Sequence, residues 1–116
     1  MVVVKRIVTD IATDNVADVR DFYALLFDLR IAMDMGWIAT LTGDETGPAQ
    51  LSVMREGGSG APVPDISIEV DDVDAVHARA QAMGLPIAYA LTDEPWGVRR
   101  FFVRDPAGKL LNVLAH

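Results

Sequence analysis

The chain alternates between two kinds of periodic stretch, and it does so twice. Ile7, Thr9 and Ile11 recur at every second position, the period of a strand with one face against a core. Val16, Val19, Phe22, Tyr23 and Leu26 then fall at i, i+3, i+6, i+7 and i+10, an apolar stripe at the helical period. Asp14 or Asn15 supplies the N-cap of that helix. The succession returns later, with Ile66, Ile68 and Val70 alternating and Val73, Val76, Ala80 and Met83 forming a second stripe. Asp71 and Asp74 stand where acids complement the helix dipole, and Gly84 ends the helix. A Leu-x-Ile-Ala string follows each helix, at Leu29–Ala32 and at Leu85–Ala88.

The remaining apolar runs read as strands: Leu29–Asp34, Trp37–Thr42 and Ala49–Arg55 after the first helix, then Pro86–Leu91, Val98–Arg104 and Leu110–Ala115 after the second. "MG" and "GDETGP" separate the first set, and "DPAG" (Asp105 to Gly108), a type I turn pattern, joins the last two strands. "EGGSGAPVP", Glu56 to Pro64, is small, flexible and proline-ended, so residues 57–64 read as a linker. The plan is βαβββ, linker, βαβββ, with modules at 1–56 and 65–116.

Composition narrows what this plan can do. At 116 residues, 51% apolar and 23% charged, the chain is one ordinary domain able to bury a core. The absence of cysteine excludes disulfides, thiolate metal sites and cysteine nucleophiles. A net charge of −7 repels phosphate backbones, so no nucleic-acid partner is expected. No apolar stretch approaches the roughly 20 residues that span a bilayer, and "MVVVKRIVTD" reverses the order of a secretory signal, so no membrane partner and a cytoplasmic location are expected.

Several separated segments carry a resemblance. "EPWGVRRFFVRDPAGKLLNVL" (Glu94 to Leu114), "RDFYALLFDL" (Arg20 to Leu29) and "DISIEVDDVDAVHARAQAMGL" (Asp65 to Leu85) resemble the closing hairpin and the two helices of the vicinal oxygen chelate superfamily. That group includes glyoxalase I, extradiol dioxygenases, fosfomycin-resistance enzymes and the bleomycin-resistance proteins. The resemblance implies an α+β fold spanning residues 1–116 as a single domain, its two βαβββ modules forming an incomplete barrel around a cavity. Alternation then sends Ile7, Thr9, Ile11, Leu51, Val53, Ile66, Ile68, Val70, Leu111, Val113 and Ala115 towards the helices. Arg6, Val8, Asp10, Gln50, Ser52, Met54, Asp65, Ser67, Glu69, Leu110, Asn112 and Leu114 face the other way.

Metal-dependent relatives place His at the start of a module's first strand and Glu or a second His in its last. Here those positions hold Arg6 (Ile7 or Val8 if the register slips) and Asp65, then Ser52 and Asn112. Arginine cannot ligate a cation, and serine and asparagine are weak neutral donors. His77 sits within a helix and His116 is the last residue, so neither completes a ligand set. The expectation is no metal and no cofactor.

The candidate ligand-binding residues are Trp37, Trp96, Arg100, Arg6, Ser52, Asp65, Asn112, Met54 and Phe102. The tryptophans, each beside a glycine, either stack on a flat or cationic ligand or merely pack. Arg100 either binds an anionic group or pairs with Asp65 or Glu69 in place of the metal. The resemblance implies a homodimeric, metal-independent small-molecule-binding protein, of the kind that sequesters drugs in antibiotic resistance. The alternative is a glyoxalase-like lyase or isomerase, or another enzyme of the superfamily acting on a small oxygenated substrate, with Asp65 or Glu69 as the catalytic group.

Overall fold

A computed structural model describes residues 2–43 and 49–116. All of the turn-prone "GDETGP" except Gly43 therefore lies outside the described residues. The elements are β1 (Val4–Ala12), α1 (Val16–Phe27), β2 (Arg30–Asp34), β3 (Ile38–Thr42), β4 (Gln50–Met54), β5 (Ile66–Val70), α2 (Val73–Ala82), β6 (Ile87–Asp93), β7 (Arg99–Arg104) and β8 (Leu110–Ala115). This is the α+β, twice-repeated βαβββ plan. Two compact units result: Val8–Val63, and Pro64–His116 together with the residues up to Ile7. No helix among the described residues is long and apolar enough to cross a membrane.

Each module solves one topological problem in the same way. Its first strand lies parallel to its fourth, and its second, third and fourth form an antiparallel meander, giving the orders β2-β3-β4-β1 and β6-β7-β8-β5. Parallel neighbours cannot be joined by a tight turn, so a helix bridges the gap and must bury its apolar stripe on one face of the sheet. Under α1 this gives a core of Val16, Ala39, Leu41 and Val53, joined by Ile11, Val19 and Tyr23. Under α2 it gives Val70, Val73, Ala80, Phe101, Val103 and Val113, with the Phe101 ring fully buried.

The caps follow the local chemistry. Asn15 caps α1 by accepting the Asp18 N–H at 3.2 Å, and the helix closes at Asp28, whose positive φ an aspartate tolerates. Asp72 caps α2 by accepting the Ala75 N–H at 3.0 Å, while Asp71 instead accepts the Val3 N–H at 2.9 Å.

Three expectations are corrected. Phe22 and Leu26 do not belong to the buried stripe of α1, which is Val16, Val19, Tyr23 and Ala24; Met83 likewise lies outside the α2 core. Ile7 is exposed, because the cluster under α1 reaches along β1 only as far as Ile11. The glycine-rich linker is not a loose spacer but a folded loop. The Gly57 N–H donates to the Ala61 carbonyl at 2.7 Å, the Ala61 N–H to the Gly58 carbonyl at 2.9 Å, and the Gly60 N–H to Glu56 Oε1 at 2.9 Å. Gly58, Ser59 and Gly60 all take positive φ, which accounts for the small residues there.

Gly57 has a stricter requirement than its neighbours. A Cβ at that position would lie 2.1 Å from the Pro62 carbonyl oxygen, a backbone atom with no freedom to retreat. Gly57→Ala is expected to lower unfolding free energy by about 1–3 kcal/mol, the usual overpacking range, in urea titration. A stability equal to the parent protein would show that the loop re-forms without this contact.

Candidate functional site

The face of each sheet opposite its helix carries the polar residues, arranged in transverse rows. In the C-terminal unit, cross-strand pairing aligns Tyr89, Phe102, Asn112 and Ser67 across β6, β7, β8 and β5. The next row is Thr92, Arg100, Leu114 and Glu69. In the N-terminal unit the corresponding row is Met33, Thr40, Ser52 and Asp10.

Arg100 dominates its row. Its guanidinium donates from Nε and Nη2 to Glu94 Oε2 at 2.7 and 2.6 Å, and both side chains are more than nine-tenths buried. The Tyr89 hydroxyl donates to the same Glu94 oxygen at 2.9 Å. Tyr89, Trp96 and Phe102 surround the cation, their ring centroids 4.9, 5.1 and 4.9 Å from its central carbon. Each such contact contributes roughly 0.5–2 kcal/mol. Arg100 is thus ion-paired, but to Glu94 rather than to Asp65 or Glu69. The hairpin of β6 and β7 turns just after Glu94, which brings that carboxylate back beside β7.

Asp65 serves the backbone instead: its Oδ2 accepts the Leu110 N–H at 2.8 Å, and its own N–H donates to the Leu110 carbonyl at 2.8 Å. Glu69 is the carboxylate that meets Arg6, at 3.1 Å, and it also contacts His116 Nδ1 at 2.7 Å. His77 packs its ring edge on Phe101, 4.9 Å between centroids, a packing role.

Asn112 donates through Nδ2 to Ser67 Oγ at 3.0 Å, while its Oδ1 is buried with no hydrogen-bond partner among the described residues. Thr42 Oγ1 is in the same condition. Ser52 shares a 2.8 Å hydrogen bond with Thr40, and Met54 is buried on the same face. Trp37 is half-buried immediately before β3, its carbonyl accepting the Arg55 N–H at 2.9 Å. Of the sequence candidates, then, Trp96, Arg100 and Phe102 gather in one cluster and Arg6 with Glu69 in another. Asn112 is the cross-strand neighbour of Phe102. Tyr89, Glu94 and Ser67 were not among the ligand-binding candidates, although Glu94 opens the "EPWG" segment that carries the family resemblance.

Strand register also tests the superfamily's metal positions. Asp65 stands two residues before Ser67, the partner of Asn112, and Val8 stands two before Asp10, the partner of Ser52. Val8, not Arg6, is therefore the repeat equivalent of Asp65, and it offers no donor atom. The remaining donors at these positions are a serine, an asparagine and a carboxylate already holding a backbone N–H. Among the described residues no three His, Asp or Glu side chains converge as a metal site would need. The donor set does not fit the divalent ion of the metal-dependent relatives.

At the ends of these strands, beside the N-terminus of α2, a groove of about 380 Å³ is walled by Asp71, Asp72, Asp93, Arg99 and His116. Arg99 holds Asp74 in a two-point contact at 2.9 and 3.2 Å and meets Asp93 at 3.2 Å. Its hydrogen bond keeps the Asp74 carboxyl below the usual carboxylate range, and those acids raise Arg99 in turn.

The family now follows from sequence and fold together. The sequence model of the Glyoxalase/Bleomycin resistance protein/Dioxygenase superfamily matches residues 4–113, and the chain belongs to that family. Among solved structures, the fold is similar to a superfamily member from Vibrio splendidus 12B01 (TM-score 0.71, 18% identity, 98% of this chain and 100% of that one). It is similar to a Legionella pneumophila chain described as an NAD-dependent benzaldehyde dehydrogenase (0.77, 20%, 94% and 97%). It is also similar to methylmalonyl-CoA epimerase from Mycobacterium tuberculosis (0.63, 16%, 97% and 86%). These likenesses establish the fold. No curated protein matches the chain.

Two measurements probe this geometry. Glu94→Gln leaves the Arg100 cation buried without its counter-charge and is expected to cost about 3 kcal/mol in urea unfolding, as for other broken buried pairs. A loss near zero would show that water reaches the guanidinium. For Asp74 the folded pKa lies below the unfolded one, so its contribution is full above about pH 4 and disappears as pH falls through the lower folded value. Asp74→Asn should therefore lower Tm at neutral pH, with the difference closing as pH falls below the ordinary aspartate range; a difference independent of pH would remove the Arg99 pairing as its cause.

Proposed function

We propose that the chain is a metal-independent small-molecule-binding member of its family, acting in the cytoplasm as a homodimer and sequestering a drug-like ligand. The observation that carries this reading is Asn112 Oδ1, a buried acceptor without a partner among the described residues, at a position where metal-dependent relatives place Glu or a second His. An unsatisfied buried carbonyl costs roughly 1–3 kcal/mol, which a ligand N–H or O–H would offset. Tyr89 and Trp96, both half-buried, hold their rings against Arg100 on this face, and the fully buried Phe102 backs Tyr89 in the same row, giving flat surface near that acceptor. The net charge of −7 favours a cationic ligand.

A second reading, a metal-free lyase or isomerase, is favoured by one feature. With Asp65 committed to the Leu110 N–H, Glu69 is the remaining candidate. It orients His116 through Nδ1 at the margin of the groove, leaving Nε2 for proton transfer.

The readings separate cleanly. After dialysis against chelator, elemental analysis is expected to find no stoichiometric divalent ion; one would overturn the proposal. Planar cationic aromatic drugs are expected to quench tryptophan fluorescence at micromolar concentration, and Asn112→Leu to weaken that binding about tenfold. No quenching with any of them counts against sequestration. Glu69→Gln should leave drug binding within about twofold, whereas in the enzyme reading it abolishes turnover.

A further inference from the structure

The two helices occupy equivalent places in their modules, and their buried positions correspond: Val16, Val19 and Tyr23 in α1 match Val73, Val76 and Ala80 in α2. Their outward faces do not correspond. Where α2 and the residues after it carry Arg79, Ala82, Met83 and Gly84, α1 carries Phe22, Leu25, Leu26 and Phe27. These four are 56, 82, 60 and 60% exposed. A helix that is apolar on both sides is a helix with something on both sides. We propose that this outward face of α1, with Ile31 of β2, is the contact surface for a second copy of this chain, α1 packing antiparallel on α1 about a two-fold axis.

Area and rigidity point to that occupant. Ile31 pairs with Leu41, which lies under α1, so it flanks the helix on the same side of the sheet. At about 200 Å² for a large apolar residue, the five exposed side chains offer roughly 500–600 Å². That is about two-thirds of the roughly 800 Å² each partner gives to a standard interface, and the apolar share of a homodimer. The face is also preformed: Tyr23, buried on its inner side, holds Phe22 edge-on at 5.3 Å and stacks with Phe27 at 6.2 Å. A two-fold axis between Phe22 and Leu25 lays the four α1 side chains of one copy against the same four of the other, as a self-complementary patch requires.

This surface gives the proposed homodimer its seam, and the test separates the seam from the ligand site. In sedimentation velocity between about 10 and 100 μM, the wild-type chain is expected to be a dimer and Leu25→Glu a monomer with unchanged far-UV circular dichroism. Leu25 is the most exposed large apolar residue among the described residues, so its replacement leaves the core intact. Met83→Glu on the other module should not weaken association. A wild-type monomer throughout this range, or a Leu25→Glu dimer, overturns the seam. Drug quenching by the Leu25→Glu protein, read in the same samples, reports on the ligand site alone.

Discussion

A parallel pair of strands at the heart of each module constrains everything else. The pairing of β1 with β4, and of β5 with β8, demands a crossover helix, and that helix can seal only one face of its four-stranded sheet. The opposite face is then the place where polar side chains project without competing with the core. Because pairing is residue by residue, the side chains on that face line up in rows, and a row is what turns scattered polar residues into a site. Asn112 and Ser67 meet because β5 and β8 run side by side in register, 45 residues apart in the chain.

Within the C-terminal row, one charge is managed with unusual thoroughness. A guanidinium taken out of water needs a carboxylate and aromatic faces, and Arg100 has both in Glu94, Tyr89, Trp96 and Phe102. Such a cluster fixes the positions of three rings at once. It stiffens the wall against which the Asn112 carbonyl stands.

Much of this was legible in the amino-acid order. The strand and helix periods placed nearly every element, since alternation and the 3.6-residue stripe are imposed by one-sided burial. The lining of the helix-free faces followed from the same rule, and the "DPAG" turn from the turn preferences of its Asp, Pro and Gly. What escaped was whatever depends on two segments meeting. Glu94 reaches Arg100 only because a hairpin folds back, and nothing in the spacing of six residues distinguishes that from a surface pair. Asp65 looked available until β8 arrived beside it. The stripe of α1 was read as one face when its apolar residues divide between two, because periodicity counts hydrophobic positions and does not say what covers them. The glycines of residues 57–60 suggested looseness, yet the positive φ angles of Gly58 and Gly60 and the close approach at Gly57 serve a tight loop.

The contrast between the two helices has a consequence for valence. A duplicated fold begins with two equivalent surfaces, and if both were adhesive each molecule would join two neighbours and polymerise without limit. Arg79 and Ala82 stand in α2 where α1 has Phe22 and Leu25, so of the two helices only α1 carries the proposed patch. One patch that matches itself saturates at two copies. Under the proposed seam, the divergence between the repeats would stop association at a closed pair instead of letting it extend into a fibre.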